Sequence, residues 1–167
     1  SNDCITYINE GKKSSSSIAE IRGCYVNKFG RVTPRGYYDM DTMIVSCSTY
    51  NDFKTKYVAF YFFGRKLIFK RLDTSNVIYM NQMFEGCSSL TSLDLSNLNT
   101  SNVASMINIF KDCSGFTSLD ISGLNISNFD TSNVENMSGM FYGCIGLTSL
   151  DLSNFDTSNV FGMDEMF

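Results

Sequence analysis

Asp94, Asp120 and Asp151 each lie between two apolar residues, in Leu-Asp-Leu or Leu-Asp-Ile triplets. Ser92, Ser118 and Ser149 stand on the near side, and Ser96, Ser122 and Ser153 on the far side. On an alternating strand the apolar residues point inward and the aspartates outward. Three such strands side by side form a carboxylate column edged with hydroxyls, suited to a cation or to the polar groups of a partner. Like charges ~5 Å apart in water repel by only roughly 0.8 kcal/mol per neighbouring pair, which nearby hydroxyls can offset. Asp94, Asp120, Asp151, Ser92, Ser118 and Ser149 are therefore the candidate binding face. The competing reading is a solvated face with local hydrogen bonds. Paired carboxylates also serve glycoside hydrolysis, but no spacing here singles out an acid and a nucleophile, because the acids recur as columns.

Histidine is absent from the 167 residues. That excludes Ser-His-Asp and Cys-His nucleophiles and every histidine metal site. Cys87, Cys113 and Cys144 share one phase of a repeat. A rigid row is not a tetrahedron, and an odd row cannot pair completely as disulfides; buried thiols acting as small apolar fillers fit better. Met80, Met83, Met106, Met137, Met140, Met163 and Met166 are soft-metal ligands by type, yet their spacing and common phase place them in a core. No catalytic set, metal or cofactor is expected. Cys4, Cys24 and Cys47 lie outside the repeat, and a bridge between one pair of them suits an extracellular chain. No run approaches ~18 consecutive apolar residues, so no membrane span is expected.

The columns follow from internal repetition. Leu72-Asp-Thr-Ser-Asn-Val77 returns as Leu98-Asn-Thr-Ser-Asn-Val103, Phe129-Asp-Thr-Ser-Asn-Val134 and Phe155-Asp-Thr-Ser-Asn-Val160, at offsets of 26, 31 and 26 residues. Five extra residues fit an insertion at Leu124–Asn128. Val77, Met80, Met83 and Phe84 mark one face of a short helix, with Ser and Asn as its starters and Gly86 as its stop. Leu93-Asp94-Leu95 alternates as a short strand. Asp73, Asp130 and Asp156, with the Thr-Ser-Asn after each, are explained by turn and cap duty. Asn76, Asn102, Asn133 and Asn159 are expected to hydrogen-bond the backbone of adjacent layers. One unit cannot cover its own apolar face, so neighbours must stack. The expected fold is an α/β solenoid, a right-handed arc with strands on one side and helical turns on the other. Its units are 72–97, 98–128 with the insertion, 129–154 and a partial 155–167, and the incomplete last unit suggests a fragment.

The units resemble the repeats of the BspA-like leucine-rich repeat surface proteins, also known from mycoplasma lipoproteins. Phe129-Asp-Thr-Ser-Asn-Val134, Met137-Ser-Gly-Met-Phe141, Tyr142-Gly-Cys144 and Leu147-Thr-Ser-Leu-Asp-Leu-Ser-Asn-Phe155 carry the likeness, which covers Leu72 to Phe167. The resemblance implies a secreted or surface-anchored protein that adheres to host or matrix components. The second unit departs from the pattern at Asn99, Ile109 and Lys111-Asp112.

Residues 1–71 read as a separate β-rich module and possible solenoid cap, with strand candidates at Arg22–Val26, Met43–Cys47, Tyr57–Phe63 and Lys66–Lys70. They carry twelve Lys/Arg against six Asp/Glu, whereas residues 72–167 carry one Lys against eleven acids. The basic module could suggest nucleic acid, but the strongly acidic neighbour would repel phosphate, and no nucleic-acid partner is expected. The leading expectation is a non-enzymatic, extracellular or cell-surface binding protein engaging protein or glycan. The alternative is a structural subunit that self-assembles by matching basic and acidic modules.

Overall fold

The computed structural model describes residues 6–8, 18–24, 31–32, 42–46, 58–60, 62–71, 74–116, 124–126 and 129–167. Eight strands run in chain order: β1 (Thr6–Ile8), β2 (Ile18–Cys24), β3 (Arg31–Val32), β4 (Thr42–Ser46), β5 (Ala59–Phe60), β6 (Lys66–Arg71), β7 (Ser92–Asp94) and β8 (Leu124–Asn125). Six form one sheet in the order β1-β2-β4-β6-β7-β8, while β3 and β5 pair separately. Every neighbouring pair is parallel except β1 with β2.

Alternation accounts for how the sheet sits. Met43, Val45, Leu67, Phe69 and Leu93 are buried, whereas Thr42, Ile44, Lys66, Ile68, Lys70, Ser92 and Asp94 between and beside them are half-buried or exposed. The register carries one row across the sheet, with Met43, Leu67, Leu93 and Leu124 at neighbouring positions. Burying each of Met43, Leu67 and Leu93 stabilises the fold by about 1.5–3 kcal/mol relative to exposure. The sheet continues across position 71/72, because β6 pairs with β4 on one side and β7 on the other. One apolar cluster likewise extends from Met43 to Met166.

Opposite the sheet, where helices were expected, the described residues contain none. The segments following each Thr-Ser-Asn are chains of turns laid side by side. Tyr79, Ser105, Asn136 and Gly162 form successive parallel bridges. The amides of Met80, Gln82, Phe84 and Gly86 donate to the carbonyls of Ser105, Ile107, Ile109 and Lys111 at 2.8–2.9 Å. Those of Met106, Asn108, Phe110 and Asp112 donate in the same way to Asn136, Ser138, Met140 and Tyr142 at 2.7–3.0 Å. An α-helix needs these amides for carbonyls four residues back, so bonding to the neighbouring segment excludes it.

Within each segment, tight turns complete the bonding. Met83 N–H donates to the Met80 carbonyl at 3.2 Å and Cys87 N–H to the Phe84 carbonyl at 3.0 Å. The third residues of these turns, Gln82 and Gly86, have φ of 61° and 75°, as a type II turn requires. Asn108 and Asp112, then Gly139 and Gly143, repeat the left-handed positions. Gly86 is therefore a turn residue and not a helix stop. The i, i+3 spacing of Val77, Met80 and Met83 suits consecutive turns as well as a helix face, and the apolar residues remain buried either way.

Of the strand candidates in the first 71 residues, Lys66–Lys70 lies within β6, and Met43–Cys47 and Arg22–Val26 overlap β4 and β2. Tyr57–Phe63 contributes only Ala59–Phe60 as strand. Gly64 and Arg65 bend the chain, but the flanking strands β5 and β6 belong to different sheets. Cys4 and Cys47 lie outside the described residues, as do the bridges they would form.

Candidate binding face

Ser92 and Asp94 stand on β7 on either side of buried Leu93, Ser92 half-buried and Asp94 exposed. Register places Ser92 beside Lys66 of β6 and Asp94 beside Asn125 of β8. The neighbour of Asp94 in the sheet is thus Asn125 and not Asp120, which corrects the expected aspartate column. The physical reason lies in the extra residues of the second unit. Leu119-Asp120-Ile121-Ser122-Gly-Leu124 and Leu124-Asn125-Ile126-Ser127-Asn-Phe129 both follow the pattern of Leu93-Asp-Leu-Ser-Asn-Leu98, and β7 pairs with the second. The insertion therefore falls before Leu124. Asp120 and Ser118 lie outside the described residues. Ser149 and Asp151 are exposed but belong to no strand. Of the six candidate residues, the sheet brings together Ser92 and Asp94.

The aspartates also have local work. One carboxylate oxygen of Asp94 accepts the Ser96 amide at 3.0 Å, and one of Asp151 accepts the Ser153 amide at 2.9 Å. Asp130 and Asp156 accept from the Ser132 and Ser158 amides at 3.0 and 2.9 Å, so the turn duty expected of this column is present. Asp73 lies outside the described residues. The hydroxyls and amides of Ser132, Ser153 and Ser158 stabilise the ionised carboxylates and hold Asp130, Asp151 and Asp156 below the usual carboxylate range.

The polar ladders join the segments. Thr100 Oγ1 donates to the Asp130 carbonyl at 3.0 Å and accepts the Asp130 amide at 2.8 Å. Thr74 does the same with Asn99, and Thr131 with Asp156. All three threonines are 1% exposed; sequence reasoning assigned them only to turns, and their position between an acidic or amide residue and Ser-Asn was the available signal. Asn102, Asn133 and Asn159 donate from Nδ2 to the carbonyls of Ser75, Ser101 and Ser132 at 2.6–2.7 Å, as expected of them, and not as helix starters.

Cys87, Cys113 and Cys144 are buried free thiols. Cys113 Sγ donates to the Phe84 carbonyl at 3.2 Å and Cys144 Sγ to the Phe110 carbonyl at 3.0 Å. Burial pushes Cys87 up to about 12 and Cys144 up to about 11, and raises Cys113 further. Such thiols are poor nucleophiles. Among the described residues, no group of three or more His, Cys, Asp or Glu could hold a metal ion. No helix among them is long and apolar enough to cross a membrane. The methionines line the core as expected except Met163, which is 44% exposed.

Residues 38–167 match the family described as Mycoplasma protein of unknown function, DUF285, and the chain belongs to that family. No curated protein and no solved structure matches the chain.

Proposed function

We propose that this member of the family is a non-enzymatic, cell-surface or secreted binding protein, built as a BspA-like leucine-rich-type solenoid whose sheet face engages a protein or glycan. The observation that carries the reading is the division of polar groups between the two sides of the molecule. On the turn side, the buried threonines and the asparagine side chains are bonded from one segment to the next. On the sheet face, Lys66 and Ser92 stand side by side with Asp94 on parallel strands whose opposite face is buried, and Asn125 takes the register position beside Asp94. A row of mixed charge and hydroxyls on a rigid sheet suits recognition by directed hydrogen bonds. The repeat pattern from Leu72 to Phe167 supports the surface-protein reading.

The test is a binding screen of the full chain against matrix proteins and glycans, followed by Ser92→Arg and Lys66→Glu. Both positions are partly or fully exposed, so the substitutions leave the core intact. Loss of about ten-fold in affinity, or ~1.4 kcal/mol, for the partner found is expected. Unchanged binding by both variants would remove the sheet face from the interaction.

A further inference from the structure

The surface beyond Phe141 and Leu147 has the features of an interface between segments, with no segment of the described residues on it. Its cavity, about 400 Å³, is lined by Phe141, Cys144, Leu147, Leu150, Leu152 and Phe167. Phe167 stacks one ring face on Phe141 at 5.9 Å and is 74% exposed. Ile145, also on the cavity wall, is 85% exposed. The corresponding space in earlier layers is filled in a constant way. The thiol of Cys113 reaches the Phe84 carbonyl, and that of Cys144 the Phe110 carbonyl. Two residues after each thiol, Gly115 and Gly146 rest so tightly on the carbonyls of Leu90 and Phe116 that a Cβ would collide with them. Direction is conserved too: Met137, Gly139 and Phe141 donate their amides to Gly162, Asp164 and Met166. The positions in phase with these donors are Met163, Glu165 and Phe167.

We propose that this surface is a docking site for a polypeptide segment of the pattern Gly-Cys-x-Gly-Leu, laid parallel to 162–167 as one more layer. Its main-chain carbonyls would meet the amides of Met163, Glu165 and Phe167, its thiol the Phe141 carbonyl, and its second glycine the Leu147 carbonyl. Its leucine fills the cavity. Two copies of the surface placed face to face would oppose amide to amide, so the matching partner is a carbonyl-presenting segment and not a second identical surface. The inference rests on the layered reading of the repeats and not on what the sheet face binds.

The probe is a fluorescent peptide reproducing Tyr142–Phe155, titrated into the full chain under reducing conditions. Saturable binding is expected. It should weaken by about ten-fold or more when the glycine equivalent to Gly146 is replaced by valine, or when the exposed ring is removed by Phe167→Asp. Ser92→Arg should leave it unchanged, which separates this site from the sheet face. Absence of saturable binding, or equal binding of the valine peptide, would overturn the proposal. So would self-association of the chain that Phe167→Asp abolishes and the peptide does not displace, since a second copy would then be the occupant.

Discussion

The rings of Phe84 and Phe110 lie 5.8 Å apart between centroids and 4° from parallel. Phe60 extends the stack on one side at 5.9 Å, and Phe141 and Phe167 on the other at 5.5 and 5.9 Å. The column joins residues before position 72 to the repeats beyond it. Phe110 is fully buried and contacts rings on both sides, so Phe110→Ala should destabilise the chain by about 3–5 kcal/mol. Phe110→Leu should cost less, because it leaves a smaller void. Urea denaturation midpoints of the two variants check the order.

Thr100 offers a separate test of the polar ladder. Its hydroxyl both donates to and accepts from Asp130. Thr100→Val conserves shape but leaves a part-buried amide and carbonyl without that partner, at a cost of about 1–3 kcal/mol. Thr100→Ser retains the bonds and should recover most of the loss. A Thr100→Val stability equal to that of the parent chain would show that the hydroxyl contributes nothing net.

Gly139 and Asn108 should behave as a coupled pair. Gly139 has φ of 65°, and a Cβ there would collide with the Asn108 side chain. Gly139→Ala therefore combines backbone strain with overlap and should destabilise by roughly 2–3 kcal/mol. Adding Asn108→Gly removes the overlap, and its own left-handed φ of 57° suits glycine. The double variant should be more stable than Gly139→Ala alone. Equal stability of the two, by thermal denaturation, would show the side chains to be uncoupled.

Acid should weaken the turns that use aspartate. The Ser132 hydroxyl and amide lower the folded pKa of Asp130. A depressed pKa means stability that is present above the unfolded carboxylate value, about 3.9, and lost as pH falls through the folded value. Asp130→Asn keeps the acceptor, as Asn99 does in the equivalent turn with Ser101, and removes the titration. The melting temperature of this variant should fall less steeply below about pH 4 than that of the parent; parallel curves would contradict the assignment.

Thiol labelling probes the cysteine column. With Cys87 raised to about 12 and Cys144 to about 11 by burial, a disulfide reagent at neutral pH should modify Cys87, Cys113 and Cys144 slowly in the native chain and rapidly in urea. Rapid native labelling at Cys113, located by peptide mapping, would contradict its burial.

The apolar phase was legible because burial depends on side-chain type: Val77, Met80, Met83, Phe84 and Cys87 are all in the core. Whether that phase rides on a helix or on turns was not legible, since spacing of three and four residues serves both. The left-handed φ of Gln82, Asn108 and Asp112 arises from bonds to the neighbouring segment, which local sequence does not contain. The site was half legible. Ser92 and Asp94 follow from alternation, but Asn125 does not, because two Leu-x-Ile triplets in the second unit compete for one place in the sheet. The pairing of Leu93 with Leu124 decides between them, and local sequence does not contain that contact.

That register decides which residues share the face, and paired cysteines measure it directly. Two double variants, Asp94→Cys with Asn125→Cys and Asp94→Cys with Asp120→Cys, are oxidised under mild conditions and mapped by mass spectrometry. A disulfide requires Cα atoms within about 7 Å, which neighbours on adjacent strands satisfy. The first pair is expected to cross-link rapidly. A cross-link in the second pair, with none in the first, would contradict the sheet register and return Asp120 to the column.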